Sequence, residues 1–457
     1  MLESVHFTNF KSWSKADMAC GRITGIFGAN SSGKTSLLQF LLLMKQTKDA
    51  TDRANSLELN GPLVKLGTIK DVMHYHDEEK SIEIGLSFNL DRMHSFFYPS
   101  KKKSRQPMIG KNLKLSAAVS VFDKKLVTHQ LSYQFANQIF ELSSTSKNKM
   151  QFELKSRTVD GTPTGFAFIR TPGRAWKLPG PIKTYAFPDQ ARMYFQNAGF
   201  LADLEATYEG ELDRLFYLGP LREFPQRDYL WARSRPSDVG QRGEKTIDAI
   251  LAATEAKEMR NLKSKSRNMP FQKMIAYWLR ELGLIESFSV TEIAVGSNRW
   301  QARVRTRAGA SDVLLTDVGF GVSQVLPVIT LLQYVPEGST VILEQPEIHL
   351  HPLAQAGLAD VIIQAAVHRK VQVILESHSE HLLLRLQRRI AEQTLSSDDV
   401  KLYFCDAPEG VSTLTPLNVD MFGRILNWPD KFMGDAFGEV AEAEMKRIER
   451  RARQAAE

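Results

Sequence analysis

Residues 23–44 read ITGIFGANSSGKTSLLQFLLLM. An apolar β-prone run, a glycine-rich turn and an apolar helical run follow one another without a gap. The octapeptide GANSSGKT, Gly28 to Thr35, fits G-x-x-x-x-G-K-[ST], with a strand before it and a helix after it, the setting that gives this pattern its meaning. Gly28 and Gly33 let the backbone curl. The N–H groups of Asn30, Ser31 and Ser32, and of the first helical residues through Ser36, can then surround phosphate oxygens at the positive end of the helix. Lys34 reaches the β- and γ-phosphates, and the Thr35 hydroxyl meets Mg²⁺. ATP and Mg²⁺ are the expected ligands.

Three later stretches supply what such a loop needs. TDVGFGVSQVLPVI (316–329) is a glycine-rich turn opening an apolar helix. Its Gly319, Gly321 and Ser323 make a second helix N-terminus suited to phosphate. VILEQPE (341–347) ends a buried strand in Glu344, placed to hold the magnesium ion. VILESHSEHLL (373–383) ends another in His378, which can hydrogen-bond a γ-phosphate. Each is weak alone; in this order, together, chance is a poor explanation.

The rest of the chain fits an α/β protein with a mostly parallel core sheet. Apolar β-rich runs alternate with amphipathic helices at both ends of the sequence. Residues 1–90 form the first part of this unit. A β-rich lobe is expected over 91–201, where the alternating segments SIEIGLSFNL, LKLSAAVSVF, HQLSYQFA, MQFELKS and TGFAFIRT, the first of which (81–90) immediately precedes it, read as an antiparallel sheet. Residues 202–284 read as helical, in three stretches: ADLEATYEGELDRLF, EKTIDAILAATEAKEMRNLKSKS and PFQKMIAYWLRELGL. Residues 285–421 return to the core, and 422–457 form a tail ending in a charged helix. No heptad pattern lasts beyond a few turns, so no long coiled-coil arm is expected.

The chain has 457 residues, 43% hydrophobic and 24% charged, which is a globular composition. Its two cysteines, Cys20 and Cys405, form no metal-spaced cluster, and a reducing cytosol is the natural setting. The N-terminus has no signal-peptide pattern, and the longest apolar stretch, Leu37 to Met44, is too short to span a bilayer. The expectation is a cytoplasmic protein without a membrane partner.

These motifs resemble the ABC-type ATPase heads of the RecF and SMC branch. They look most like the stand-alone ATPases related to the overcoming-lysogenization-defect (OLD) family, many of them in bacterial anti-phage systems. FTNFKSW (7–13), the Walker A loop, GFGVSQ as a degenerate signature, LEQPEIHLHP as Walker B with D-loop, and ESHSEH as the switch-histidine segment carry the resemblance. YLGPLREFPQR (217–227) and VGQRGE (239–244) also look like stretches these proteins carry. The resemblance implies a P-loop ABC-type head with an antiparallel β subdomain and a helical insertion. It also implies a homodimer closing head-to-tail around two nucleotides, or a larger assembly built on it. The Gly321–Ser323 segment of one copy would meet the γ-phosphate held by the other. A phosphate-sensing glutamine common in the family has no clear counterpart; Gln46 is near the right region but follows the helix too closely.

Gln345 is the departure. In the resembling proteins the Walker B strand ends in two acids, the second being the general base or water-orienting group. An amide orients water but cannot accept its proton, and general-base catalysis is worth roughly 10²–10⁴-fold. In one reading hydrolysis is slow and the closed dimer is a long-lived clamp or scaffold. In another Glu347 substitutes as base, although Pro346 breaks the strand and redirects it. In a third the amide was introduced to trap ATP. The first is preferred.

His349 and His351 can share a face, but no third metal ligand stands near them. No nuclease-type carboxylate cluster follows the head, so the effector is expected to be a separate protein, a nuclease or toxin. Trp428 and Phe432 are expected to anchor the tail. The basic residues Lys101–Lys103, Arg105, Arg260, Lys263, Lys265, Arg267, Arg303, Arg305 and Arg307 make DNA a further candidate partner. Two functions remain: an ATP-controlled switch for an effector in anti-phage defence, or a DNA repair and maintenance ATPase acting directly on DNA.

Overall fold

The computed structural model describes residues 1–99, 105–145, 151–162, 166–173, 177–263, 266–429 and 445–447. At its centre is a six-stranded sheet. Its strand order is Thr413–Leu417, Val400–Asp406, Ile23–Gly28, Gln372–Glu376, Thr340–Glu344, Leu215–Leu218. Neighbours are parallel except at the Thr413–Leu417 edge. The strands Ile23–Gly28, Gln372–Glu376 and Thr340–Glu344 are buried at every position, as a parallel sheet covered on both faces requires.

Alternation along those strands divides the apolar interior in two. Val341, Leu343, Val373 and Leu375 point into one core, shared with the helices Phe320–Tyr334 and Pro352–His368. Ile342 and Ile374 point into the other, shared with the helix Lys34–Asp49 and the inner face of a second sheet. That second sheet has seven antiparallel strands, ordered Trp13–Ala19, Leu2–Phe10, Ile82–Pro99, Arg105–Phe122, Lys125–Phe135, Gln138–Ser144, Phe152–Thr158. It draws its first two strands from the extreme N-terminus, so the chain enters the core sheet only at Ile23. A turn with positive φ at both Asp123 and Lys124 joins two of its strands, matching the right-handed strand twist.

The antiparallel expectation for the middle of the chain holds, with two local differences. Residues 166–171 make only one isolated bridge, at Arg170. Phe166 and Phe168 there pack edge-on against Phe140 instead of adding a strand. The stretch 138–144, without a clear pattern in sequence, is a strand.

The expected helix from Glu244 to Ser266 is also shorter: it spans Thr246–Glu255. The chain then turns, with Lys257 at φ 53°, into a small ladder pairing Met259–Arg260 with Met269–Pro270. Arg260 holds the turn by donating to Glu258 and to the Gln333 carbonyl and lying over the Phe271 ring. Tertiary capture of one guanidinium outweighs the helix propensity of the sequence that follows.

In the tail, Ile425 is buried and bridges to Val419, while Phe422 is 72% and Trp428 44% exposed. Phe432, Lys101–Lys103 and Lys265 lie outside the described residues. Of the expected terminal helix, residues 445–447 are described and helical.

Candidate nucleotide and metal site

The parallel sheet brings the C-terminal ends of three strands to one edge, the place where open α/β sheets bind ligands. Gly28 ends the first. Its φ of 146° and a Cβ position only 2.0 Å from the Cys405 carbonyl oxygen exclude any side chain. Gly33, at φ 96°, is equally constrained: a Cβ would sit 2.1 Å from Ser412 Oγ. Between them Ala29, Asn30 and Ser31 are exposed, and Ser31 is itself left-handed, at φ 62°. Ser32 is buried and donates to the Ala29 carbonyl. Cys405 Sγ donates to the Ser32 carbonyl, and Trp13 Nε1 to that of Gly33. Lys34 is buried, its ammonium donating to the Gly28 and Ala29 carbonyls at 3.1 and 2.6 Å. Burial draws its pKa down. Ser36, half-buried, lies in the first turn of the helix.

Thr35 Oγ1 donates to the carboxylate of Glu376, 2.9 Å from one oxygen and 3.2 Å from the other. Glu376 closes the strand between the P-loop strand and Glu344, in register with Glu344 on one side and Ile26 on the other. Sequence reading passed it over. The signal was present: the tetrapeptide VILE ends at Glu344 and recurs ending at Glu376.

Both acids are buried. Burial first, and then the neighbouring Glu376 charge, push Glu344 up to about 7; burial also raises Glu376. No cationic side chain is hydrogen-bonded to either carboxylate among the described residues. A divalent cation is what such a pair calls for. Thr35 and the two acids therefore fit Mg²⁺, and the exposed loop tip fits a polyphosphate.

The strand Thr340–Glu344 ends where Gln345 takes φ 43° and donates its N–H to the Glu376 carbonyl. Two residues from 217–227 hold this end. Tyr217 donates its hydroxyl to Glu344 at 3.1 Å. Arg222, buried, donates to the backbone carbonyls of Glu344, Gln345 and Pro220. Desolvation lowers the Arg222 pKa to about 10.

Glu347 is turned away from the strand, as Pro346 requires. Its Oε1 accepts from Ser377 Oγ at 2.7 Å and from the His378 N–H at 2.8 Å. Its Oε2 is buried without a partner, and burial raises its pKa. Burial and Lys34 keep His378 below the ordinary histidine range, hence neutral at pH 7.

The segment 319–323 stands apart from this cluster in its contacts. Gly319 and Phe320 are exposed; the Phe320 ring packs on His349 and Phe224 at 4.8 and 5.4 Å. Gly321 backs onto the His349 carbonyl, at 3.2 Å from its Cβ position. Ser323 is buried, its hydroxyl donating to Phe320 O.

His351 caps the helix Pro352–His368. Among the described residues no group of three His, Cys, Asp or Glu stands close enough to hold a metal. Gln46 spends its amide on Glu58, Leu63 and Val64 backbone groups, bracing a loop.

Arg303 and Arg305 share one face of the strand Arg299–Arg305, as their spacing predicts, whereas Arg307, expected to continue that alternation, lies beyond the strand's end. Arg305 is ion-paired with Asp312 and Arg299 with Asp228. Lys263, Arg267 and Arg307 are exposed. No helix among the described residues is long and apolar enough to cross a membrane.

Family models match three stretches of the chain. The model described as "AAA ATPase domain" matches residues 1–164, and "AAA domain, putative AbiEii toxin, Type IV TA system" matches 189–385. "Protein of unknown function (DUF3696)" matches 395–442. No curated protein matches the sequence. Three solved structures align along most of the chain. One is an SMC head bound to the C-winged helix domain of ScpA: 12% identity, 92% of this chain and 98% of that chain, TM-score 0.45. The SMC head domain from Thermotoga maritima gives 10%, 92%, 99% and 0.41. The Smc head with an extended coiled coil bound to the C-terminal domain of ScpA, from Pyrococcus furiosus, gives 12%, 91%, 96% and 0.43. Over residues 1–164 and 189–385 this α/β chain is thus similar to ATPase domains of the AAA kind.

Proposed function

We propose that this chain is an ATP-controlled dimerising switch that gates a separate effector, a nuclease or toxin, in anti-phage defence. The observation that carries the reading is the Lys34–Thr35 loop facing two buried strand-end acids, with an amide, Gln345, where a base is expected. Mg²⁺ when bound supplies charge neutralisation for the phosphates. Lys34 and the loop N–H groups would bind them, Thr35 and a carboxylate of the strand-end pair would hold the ion, and Glu347 fixes the backbone of His378.

Gln345 can orient a water but leaves its proton without an acceptor, and Glu347, behind Pro346, spends one carboxylate oxygen on Ser377 and His378. Hydrolysis is then slow and the closed state long-lived. The exposed Phe320 and Phe224, packed ring to ring beside Gly319 and Gly321, offer an apolar face for a second copy. The type IV toxin–antitoxin description of one matching family supports the defence setting.

The test is the molar mass of the purified protein by light scattering with ATP·Mg²⁺, ADP·Mg²⁺ or neither, alongside single-turnover hydrolysis. A dimer appearing only with ATP·Mg²⁺ and outlasting many minutes is expected. A mass indifferent to nucleotide removes the switch, and fast turnover removes the clamp.

A further inference from the structure

Gln345 leaves the Walker B strand with one carboxylate at its tip. The second carboxylate of the site comes from the adjacent strand. Val341–Glu344 and Val373–Glu376 are identical tetrapeptides paired parallel and in register, residue for residue. In-register parallel neighbours present their side chains to the same face, about 4.8 Å apart. Glu344 and Glu376 are thus a matched pair at the edge of the sheet, but their surroundings differ.

Glu376 lies on the strand that touches the P-loop strand, and its carboxylate takes both contacts from Thr35 Oγ1, at 2.9 and 3.2 Å. Glu344 is one strand further out and accepts from Tyr217 instead. The chain after Glu376 is pinned on both sides: Ser377 N–H donates to Ile26 O, and Glu347 holds Ser377 Oγ and the His378 N–H. Gln345 N–H ties the outer strand to the Glu376 carbonyl.

The threonine of a P-loop is a magnesium ligand, and a carboxylate that shares its hydroxyl lies within reach of the same ion. We infer that Glu376, not Glu344, is the carboxylate that joins Thr35 in holding Mg²⁺, and that Glu344 is a positioning residue behind it, oriented by Tyr217. This rests on the nucleotide reading of the site. The metal acid and the switch histidine then sit on one three-residue segment, Glu376–His378, so that ion and γ-phosphate are sensed by the same piece of chain.

The experiment measures affinity for a fluorescent ATP analogue with Mg²⁺ and with EDTA, for wild type, E376Q, E344Q, T35V and the T35V/E376Q double variant. The wild type should gain affinity with Mg²⁺. E376Q should lose about tenfold or more of that gain, the scale of one charge-assisted contact, while keeping its Mg²⁺-free affinity, which also reports an intact pocket. E344Q should keep most of the gain. T35V should lose the gain like E376Q, and the double variant should be no worse than either single one. Should E376Q keep the Mg²⁺ gain and E344Q lose it, or should T35V and E376Q add independently, the assignment is overturned while the nucleotide reading stands. A wild type that binds no nucleotide overturns both.

Discussion

Replacing Glu344 by Gln should make the metal-free protein more stable at alkaline pH, although the residue belongs to the site. Glu344 is 5% exposed and stands in register with a second buried acid. Burial and that neighbour raise it from the ordinary 4.5 to about 7. Between those values the folded protein binds a proton that the unfolded chain has released. Stability conferred by the protonated acid is therefore complete below about pH 4.5 and falls as pH rises through 7. At about 1.36 kcal/mol per pH unit, the loss by pH 8 is about 3 kcal/mol. A glutamine has no proton to lose, and its amide oxygen still accepts from Tyr217.

The assay is urea unfolding in EDTA at pH 4.5 and pH 8. The two proteins should agree near pH 4.5, and E344Q should be more stable by about 3 kcal/mol at pH 8. Glu205, also raised to about 7 by burial, is common to both proteins and cancels in the difference. An E344Q protein that is less stable at pH 8, or shifted equally at both pH values, would refute the electrostatic reasoning.

Arg222→Met removes the donor to three backbone carbonyls, those of Pro220, Glu344 and Gln345. Leaving them buried and unpaired should cost about 3–5 kcal/mol in urea unfolding, with weaker Mg²⁺-dependent nucleotide binding. Gly33→Ala places a methyl 2.1 Å from Ser412 Oγ at a φ of 96°. It should abolish nucleotide binding and lower stability by about 2 kcal/mol or more by thermal unfolding, and Ser412→Gly should restore part of the loss.

The P-loop, the strand ending at Glu344 and the segment ending at His378 were legible because each is local. A turn pattern, a strand and a helix N-terminus are written within about a dozen contiguous residues. The antiparallel sheet was legible through period-two alternation, as in Lys125–Phe135. The Thr246–Glu255 helix was overextended because its end is decided by Arg260 meeting Phe271 and Gln333, partners that lie beyond the local window.

Residue types and spacing alone determined that this chain carries a phosphate loop, an acid-tipped strand and an amide in place of a second acid. Only the tertiary structure decided which acid meets Thr35. Strand order is a matter of which hydrophobic faces pack together, and it slides Gln372–Glu376 between Ile23–Gly28 and Thr340–Glu344. That insertion brings Glu376 across 341 positions of chain to the P-loop threonine. No pattern read along the backbone encodes that distance, because parallel neighbours are joined by long crossovers and chosen by packing.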